Sequence, residues 1–223
     1  MKKFFFLSIV AFGMIAAMTF VSCGEKKSAQ NTEEPIVGTD YVVVTTPTGA
    51  KGIKKGDAIL VTPTDTYKSI AVDNGMFLAK TDGGYSLLDP ETGYSVLDAD
   101  TISWKSFYFE GQKSENYLVY IPAYKCRFAA QAYAVKGGFA ISSFNGKITA
   151  YKDGQPIIEP TGDFAKMAIL PDGKFLVLKG KSWVTATLKG KTLFPSKAVT
   201  PRDLKKYQKM KGWDEKSPVM ILE

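Results

Sequence analysis

Three textures follow one another along the chain. Phe4 to Val21 is an uncharged, largely apolar run of 18 residues, and Glu25 to about Gly38 is polar and nearly free of large apolar side chains. From Tyr41 onward the pattern is short β-branched and aromatic runs, such as Tyr41–Thr46, Ala58–Thr62, Ser69–Val72 and Met76–Lys80. The breaks between such runs fall at Asn74-Gly75, Asp82-Gly83, Asn145-Gly146, Asp153-Gly154, Asp172-Gly173 and Lys189-Gly190. Asn-Gly and Asp-Gly accept the positive φ that tight hairpin turns require. With no long helical period between them, the runs predict an all-β domain of repeated short antiparallel hairpins over residues 40–223. One helix is expected near 201–211. Thr200 is placed as its N-cap, Pro201 at its first position and Asp203 at its positive end. Leu204, Tyr207 and Met210 share a face, Gly212 is a natural stop, and Lys205, Lys206, Lys209 and Lys211 occupy the other sides. A thin apolar stripe of this kind reads as a capping helix rather than a membrane-bound one. Pro218–Glu223 reads as a last strand.

The hairpins repeat. Asn74–Tyr94, Gly137–Gln155 and Asp172–Lys191 each run as a glycine, a strand, a glycine turn, a strand, a second turn and a strand. The second and third start 35 residues apart and the first and second 63, with fainter copies near Asp40 and Asn116. A recurring unit of three short strands with a longer return predicts a propeller-like or related β-repeat array. On Gly84–Leu97 and Lys181–Leu193 the chain resembles the WG-repeat family, whose units combine a glycine, an aromatic, a strand and an Asp-x-x-Gly turn. The Trp-Gly pair itself is absent, since Val184 follows Trp183. The resemblance implies a repeat scaffold used for binding and carries no catalytic residues.

The N-terminal run has the layout of a secretory signal: Lys2 and Lys3 precede it, and small residues lead to Cys23. Phe20-Val21-Ser22-Cys23 resembles the lipobox of bacterial lipoproteins, which implies cleavage after residue 22 and lipidation of Cys23. Gly24 stands where inner-membrane retention usually has Asp, so the resemblance implies the outer membrane of the cell envelope. Residues 1–22 are then a signal peptide and 23–39 the lipidated cysteine with a tether. Taken over Glu25–Gly38 and fully extended at about 3.3–3.6 Å per residue, that tether reaches about 45 Å.

Composition sharpens this picture mainly by exclusion. The chain has a net charge of +7; without residues 1–22 it keeps 27 basic and 22 acidic side chains, or +5. That diffuse excess suits anionic headgroups or acidic glycan and gives no case for nucleic acid. There is no histidine, which removes Ser-His-Asp and Cys-His catalysis and the usual zinc sites. Once Cys23 is acylated, Cys126 is the one thiol left, so no internal disulfide is expected. No glycine-rich loop leads from a strand into a helix, so no nucleotide and no cofactor is expected.

Candidate chemistry is sparse. Asp89/Glu91 and Asp98/Asp100 are local carboxylate pairs of the kind that cleave glycosidic bonds or bind calcium. Asp89-Pro-Glu-Thr-Gly93 is more simply a turn. The densest aromatic stretch is Trp104–Phe109, followed by Tyr117, Tyr120 and Tyr124. Alternation puts Phe107 and Phe109 in the core and Tyr108 outward. Tyr108, Tyr117 and Lys105 are thus the candidate ligand contacts, since exposed aromatics stack on sugars or anchor protein interfaces. The sequence favours a lipid-anchored envelope binding or assembly module with a protein partner over an enzyme. The alternative is a carboxylate enzyme or a binder acting on envelope polysaccharide.

Overall fold

The computed structural model describes residues 30–223, so the expected signal peptide and Cys23 lie outside the described residues. The described strands form five antiparallel sheets in chain order, all within the compact unit Asn31–Glu223. Sheet 1 holds β1 (Thr32–Pro35), β2 (Tyr41–Thr45), β3 (Lys51–Lys55) and β4 (Ala58–Thr64). Sheet 2 holds β5 (Ser69–Asp73), β6 (Met76–Thr81), β7 (Gly84–Leu88) and β8 (Ser95–Ala99). Sheet 3 holds β9 (Thr101–Lys105), β10 (Tyr108–Lys113), β11 (Asn116–Ile121) and β12 (Cys126–Ala130). Sheet 4 holds β13 (Ala132–Lys136), β14 (Phe139–Phe144), β15 (Lys147–Lys152) and β16 (Gln155–Thr161). Sheet 5 holds β17 (Lys166–Ile169), β18 (Phe175–Lys179), β19 (Ser182–Lys189) and β20 (Thr192–Ala198), and adds β21 (Val219–Ile221) parallel to β17. The described residues are nearly all β with one short α-helix, as the turn pattern predicts.

Each inner sheet is apolar on both faces, which is why its strands read as continuous runs rather than alternating ones. In sheet 2, Ile70, Phe77, Ala79 and Leu88 face Ile53 and Val61 of sheet 1. The opposite face, with Met76, Leu87 and Leu97, meets Phe109 and Tyr120 of sheet 3. Sheet 3 turns Val119, Ile121, Cys126 and Phe128 toward Ala140 of sheet 4. Sheet 4 packs Ile141, Ile148 and Ile158 on Met167, Phe175 and Val177 of sheet 5. The far face of sheet 5, with Ala168, Leu170, Leu176 and Met220, is covered by Tyr207, Met210 and Trp213.

The repeat is real, and its unit has four strands where the sequence predicted three. The expected starts at Asn74, Gly137 and Asp172 coincide with the first hairpin turns of sheets 2, 4 and 5, and Asp40 with that of sheet 1. The copy expected near Asn116 is out of phase by one hairpin, because sheet 3 opens its first turn at Ser106-Phe107. Ser106 takes φ +63° there without a glycine to announce it. The 63-residue spacing therefore spans two units. A register shift marks the last strand in sheets 1, 2, 4 and 5. In three of these, the outer strand also carries a proline, Pro63, Pro160 or Pro195, where no ladder donor is needed.

Two boundaries differ from expectation. The stretch read as tether over 23–39 contains β1, whose four residues are exposed and which is held by backbone pairing to β2. Its polar side chains gave no strand signal because none of them is buried. The helix, α1 (Pro201–Tyr207), is shorter than 201–211 and continues as turns to Gly212. Its start is as predicted: the Thr200 hydroxyl accepts from the Asp203 amide at 3.2 Å. Among the described residues, no helix is long and apolar enough to cross a membrane.

Gly93 and Gly75 both have positive φ, yet they differ in surroundings. A Cβ on Gly93 would collide with the Leu60 carbonyl of sheet 1, while one on Gly75 meets nothing within 4 Å. Gly75→Ala should cost about 1–2 kcal/mol of backbone strain alone. Gly93→Ala should cost more, since the junction of sheets 1 and 2 must also shift. Denaturant midpoints of the two variants check this order.

Candidate functional site

β10 and β11 place the candidate residues by register. Tyr108 and Glu110 lie two apart and so share a face of β10. Tyr117 pairs with Gln112, and Lys105 of β9 pairs with Tyr108, which brings both onto that same face. Facing them across the junction of sheets 3 and 4 is Tyr133 of β13. Its ring meets those of Tyr117 at 5.4 Å and Tyr108 at 6.1 Å, edge to face in both cases. The third wall is the C-terminal segment Asp214–Pro218. Together these enclose an open cleft of about 580 Å³.

A polar chain crosses the rim of the cleft. Lys105 Nζ lies 3.5 Å from Glu110 Oε1, and the Tyr133 hydroxyl donates to the Glu110 carboxylate. The Tyr108 hydroxyl lies 3.5 Å from that of Tyr133. Burial, reinforced by the hydrogen bond to Glu110, raises the Tyr133 phenol well above its ordinary pKa, so it stays a donor throughout the neutral range. The lining is therefore aromatic and hydroxyl-rich, with its deepest carboxylate already paired. Such a surface can stack on a planar or ring group and donate or accept hydrogen bonds around it.

The three expected contacts thus converge, with adjustments. Tyr117 and Tyr108 line the cleft, and Lys105 adjoins it through Glu110. Tyr108 is half-buried rather than fully outward, since it packs toward sheet 4. Phe107 is not core: it sits in the two-residue turn and is 37% exposed, whereas Phe109 is fully buried. Glu110, Tyr133 and the 214–218 wall were not singled out from sequence. Tyr133 carries no local signal, because its role comes from a neighbouring sheet.

The carboxylate pairs serve the fold. Asp89 caps its own turn by accepting the Glu91 amide at 2.7 Å, as the turn reading expects, and Glu91 pairs with Lys125 at 2.6 Å. Asp98 accepts the Ser86 and Ser95 hydroxyls at 2.6 and 2.9 Å, and Asp100 accepts the Ser114 amide at 3.0 Å. Among the described residues no group of three or more acidic or cysteine side chains is placed to hold a metal. Cys126 is buried in the junction of sheets 3 and 4, which pushes its thiol pKa up. A protonated, enclosed thiol is a poor nucleophile.

No family model matches the chain, and no curated protein matches its sequence. Among solved structures it is similar to Hsv2 of Kluyveromyces lactis, at 11% identity over 69% of this chain and 59% of that one, with a TM-score of 0.29. The WD40 domain of SCAP from fission yeast matches at 11% identity over 78% and 57%, with a TM-score of 0.31. PorZ of Porphyromonas gingivalis, a surface component of the type-IX secretion system, matches at 11% over 70% and 26%, with a TM-score of 0.25. The chain thus spans about three fifths of the Hsv2 chain it matches.

The Tyr133–Glu110 bond has a pH signature. Because the folded phenol holds its proton more tightly than the unfolded one, its contribution is complete below about pH 10 and falls as pH rises beyond that value. Stability of the protein should decline above about pH 10, and the decline should be shallower in Tyr133→Phe. Chemical denaturation of both proteins at neutral and alkaline pH measures the difference.

Proposed function

We propose that the protein is a lipid-anchored module of the cell envelope that binds another envelope protein through the cleft of Tyr108, Tyr117 and Tyr133. Lipidation at Cys23 supplies the anchor, and the outer membrane is the site implied by Gly24. The observation that carries the reading is the convergence of three tyrosines from two sheets onto one open cleft. The Lys105–Glu110–Tyr133 chain fixes the ring of Tyr133 in advance, and a preorganised aromatic surface loses little on binding. Tyrosine is among the side chains that dominate protein interfaces, because it offers a large apolar ring and a polar tip. Weighing against the carboxylate-enzyme alternative, Asp89, Asp98 and Asp100 are held by turn and strand hydrogen bonds, and Glu91 by an ion pair. A polysaccharide ligand remains the second reading, since the same rings suit stacking on sugars.

The test places a photo-crosslinking amino acid at Tyr117 in living cells. One envelope protein should be captured reproducibly, and capture should be lost when Cys23→Ala leaves the domain unanchored. With that partner purified, Tyr117→Ala should weaken binding by about thirtyfold, the effect of an interface anchor. Crosslinks to polysaccharide alone would move the function to the second reading.

A further inference from the structure

The C-terminal helix has two faces with different fates. Its apolar side, through Tyr207 and the following Met210, closes the far face of sheet 5, where Trp213 also packs against Trp183 at 5.3 Å. On its outward side, Arg202, Lys205 and Lys206, with Lys209 of the turns that follow, line a shallow hollow of about 440 Å³. Lys206 is paired with Asp203 at 2.9 Å. Among the described residues, no carboxylate lies within ion-pair distance of Arg202, Lys205 or Lys209. Arg202 and Lys205 lie three apart on α1, and Lys209, in the turns that follow it, lines the same hollow and so shares one face with them. The face cannot rotate away, because the Thr200 cap and the packed side fix the helix on the sheet.

We propose that this face docks the domain onto a bilayer surface through anionic headgroup phosphates. The inference rests on the reading that Cys23 anchors the chain to a membrane. Two features favour a lipid surface as the occupant. Cations free of ion pairs on a rigid face match a plane of fixed anions. The distance from the anchor is also short: with β1 starting at Thr32, residues 24–31 span less than about 30 Å even when extended. The first strand is therefore held within that reach of the anchor. The helix then serves as cap on one side and contact on the other, and the sequence-based choice between those roles falls away.

The experiment reconstitutes the full chain into vesicles of phosphatidylcholine alone and of phosphatidylcholine mixed with phosphatidylglycerol. Lysine labelling read by mass spectrometry then reports contact. Lys205, Lys206 and Lys209 should label at least about fivefold more slowly on the anionic vesicles, while Lys147 and Lys152 on sheet 4 label equally on both. Arg202→Glu with Lys205→Glu should restore fast labelling at Lys206 and Lys209, with an unchanged denaturation midpoint showing that the cap is intact. Retention on both vesicles with equal labelling would overturn the docking and leave the anchor standing. Retention on anionic vesicles alone, abolished by the double variant, would support the docking and remove the anchor. A chain retained on neither overturns both.

Discussion

A sheet with two apolar faces cannot stand alone, and that constraint governs the whole molecule. Phe77, Phe109, Ile141 and Phe175 are each fully buried, and each reaches that state only because a neighbouring sheet covers it. Burying a side chain of this size stabilises by about 1.5–3 kcal/mol, so every junction carries several such contributions. The requirement passes from sheet to sheet until sheet 5, whose far face is closed by the helix and Trp213. β21 belongs to the same solution. It extends sheet 5 parallel to β17, with Val219 on one face and Met220 on the other. The C-terminal segment is therefore part of the core.

The cleft follows from the same packing. Sheets 3 and 4 meet through Val119, Phe128 and Ala140, with Tyr108 and Tyr133 packed at the margin of that apolar contact. A polar group at such a margin must find a partner or pay for its desolvation. Glu110 does so with Lys105 and Tyr133, and no buried side-chain nitrogen or oxygen among the described residues lacks a partner. The ring of Tyr133 in the cleft is thus held by a bond that also joins two sheets, so cleft geometry and junction stability are coupled.

The fold was largely legible and the site only half so, for one physical reason. Turns and strands are local: Asn145-Gly146 and Asp153-Gly154 take the positive φ that their sequence promises, and the Thr200 cap is set by residues three apart. The first hairpin turns of four sheets could be aligned for the same reason. The first turn of sheet 3 escaped because Ser106 adopts positive φ without a glycine, so the copy there was placed one hairpin late. The fourth strand of the unit escaped because its marks, a register shift and Pro63, Pro160 or Pro195, look like breaks. Tyr108, Tyr117 and Lys105 could be found since they lie in one aromatic run. Their completion by Tyr133 depends on which sheet packs on which, and no local pattern encodes that. Phe107 shows the reverse error, where alternation was carried one residue too far into a turn.

The repeat also decides where function can reside. Most hairpins close with two-residue turns, such as Ser114-Glu115 and Gly180-Lys181, which leave no loop long enough to shape a site. Clefts and shaped faces then come from sheet junctions or from the stretch that departs from the repeat. That stretch is Val199–Pro218, the longest connection among the described strands. It supplies one wall of the tyrosine cleft through Asp214–Pro218 and presents the cationic side of α1. Its inner residues are fixed by the need to cover sheet 5, which leaves its outer residues free to vary in chemistry without cost to the core. A segment held so firmly on one side is a stable platform on the other, and both the tyrosine cleft and the cationic face of α1 draw on it.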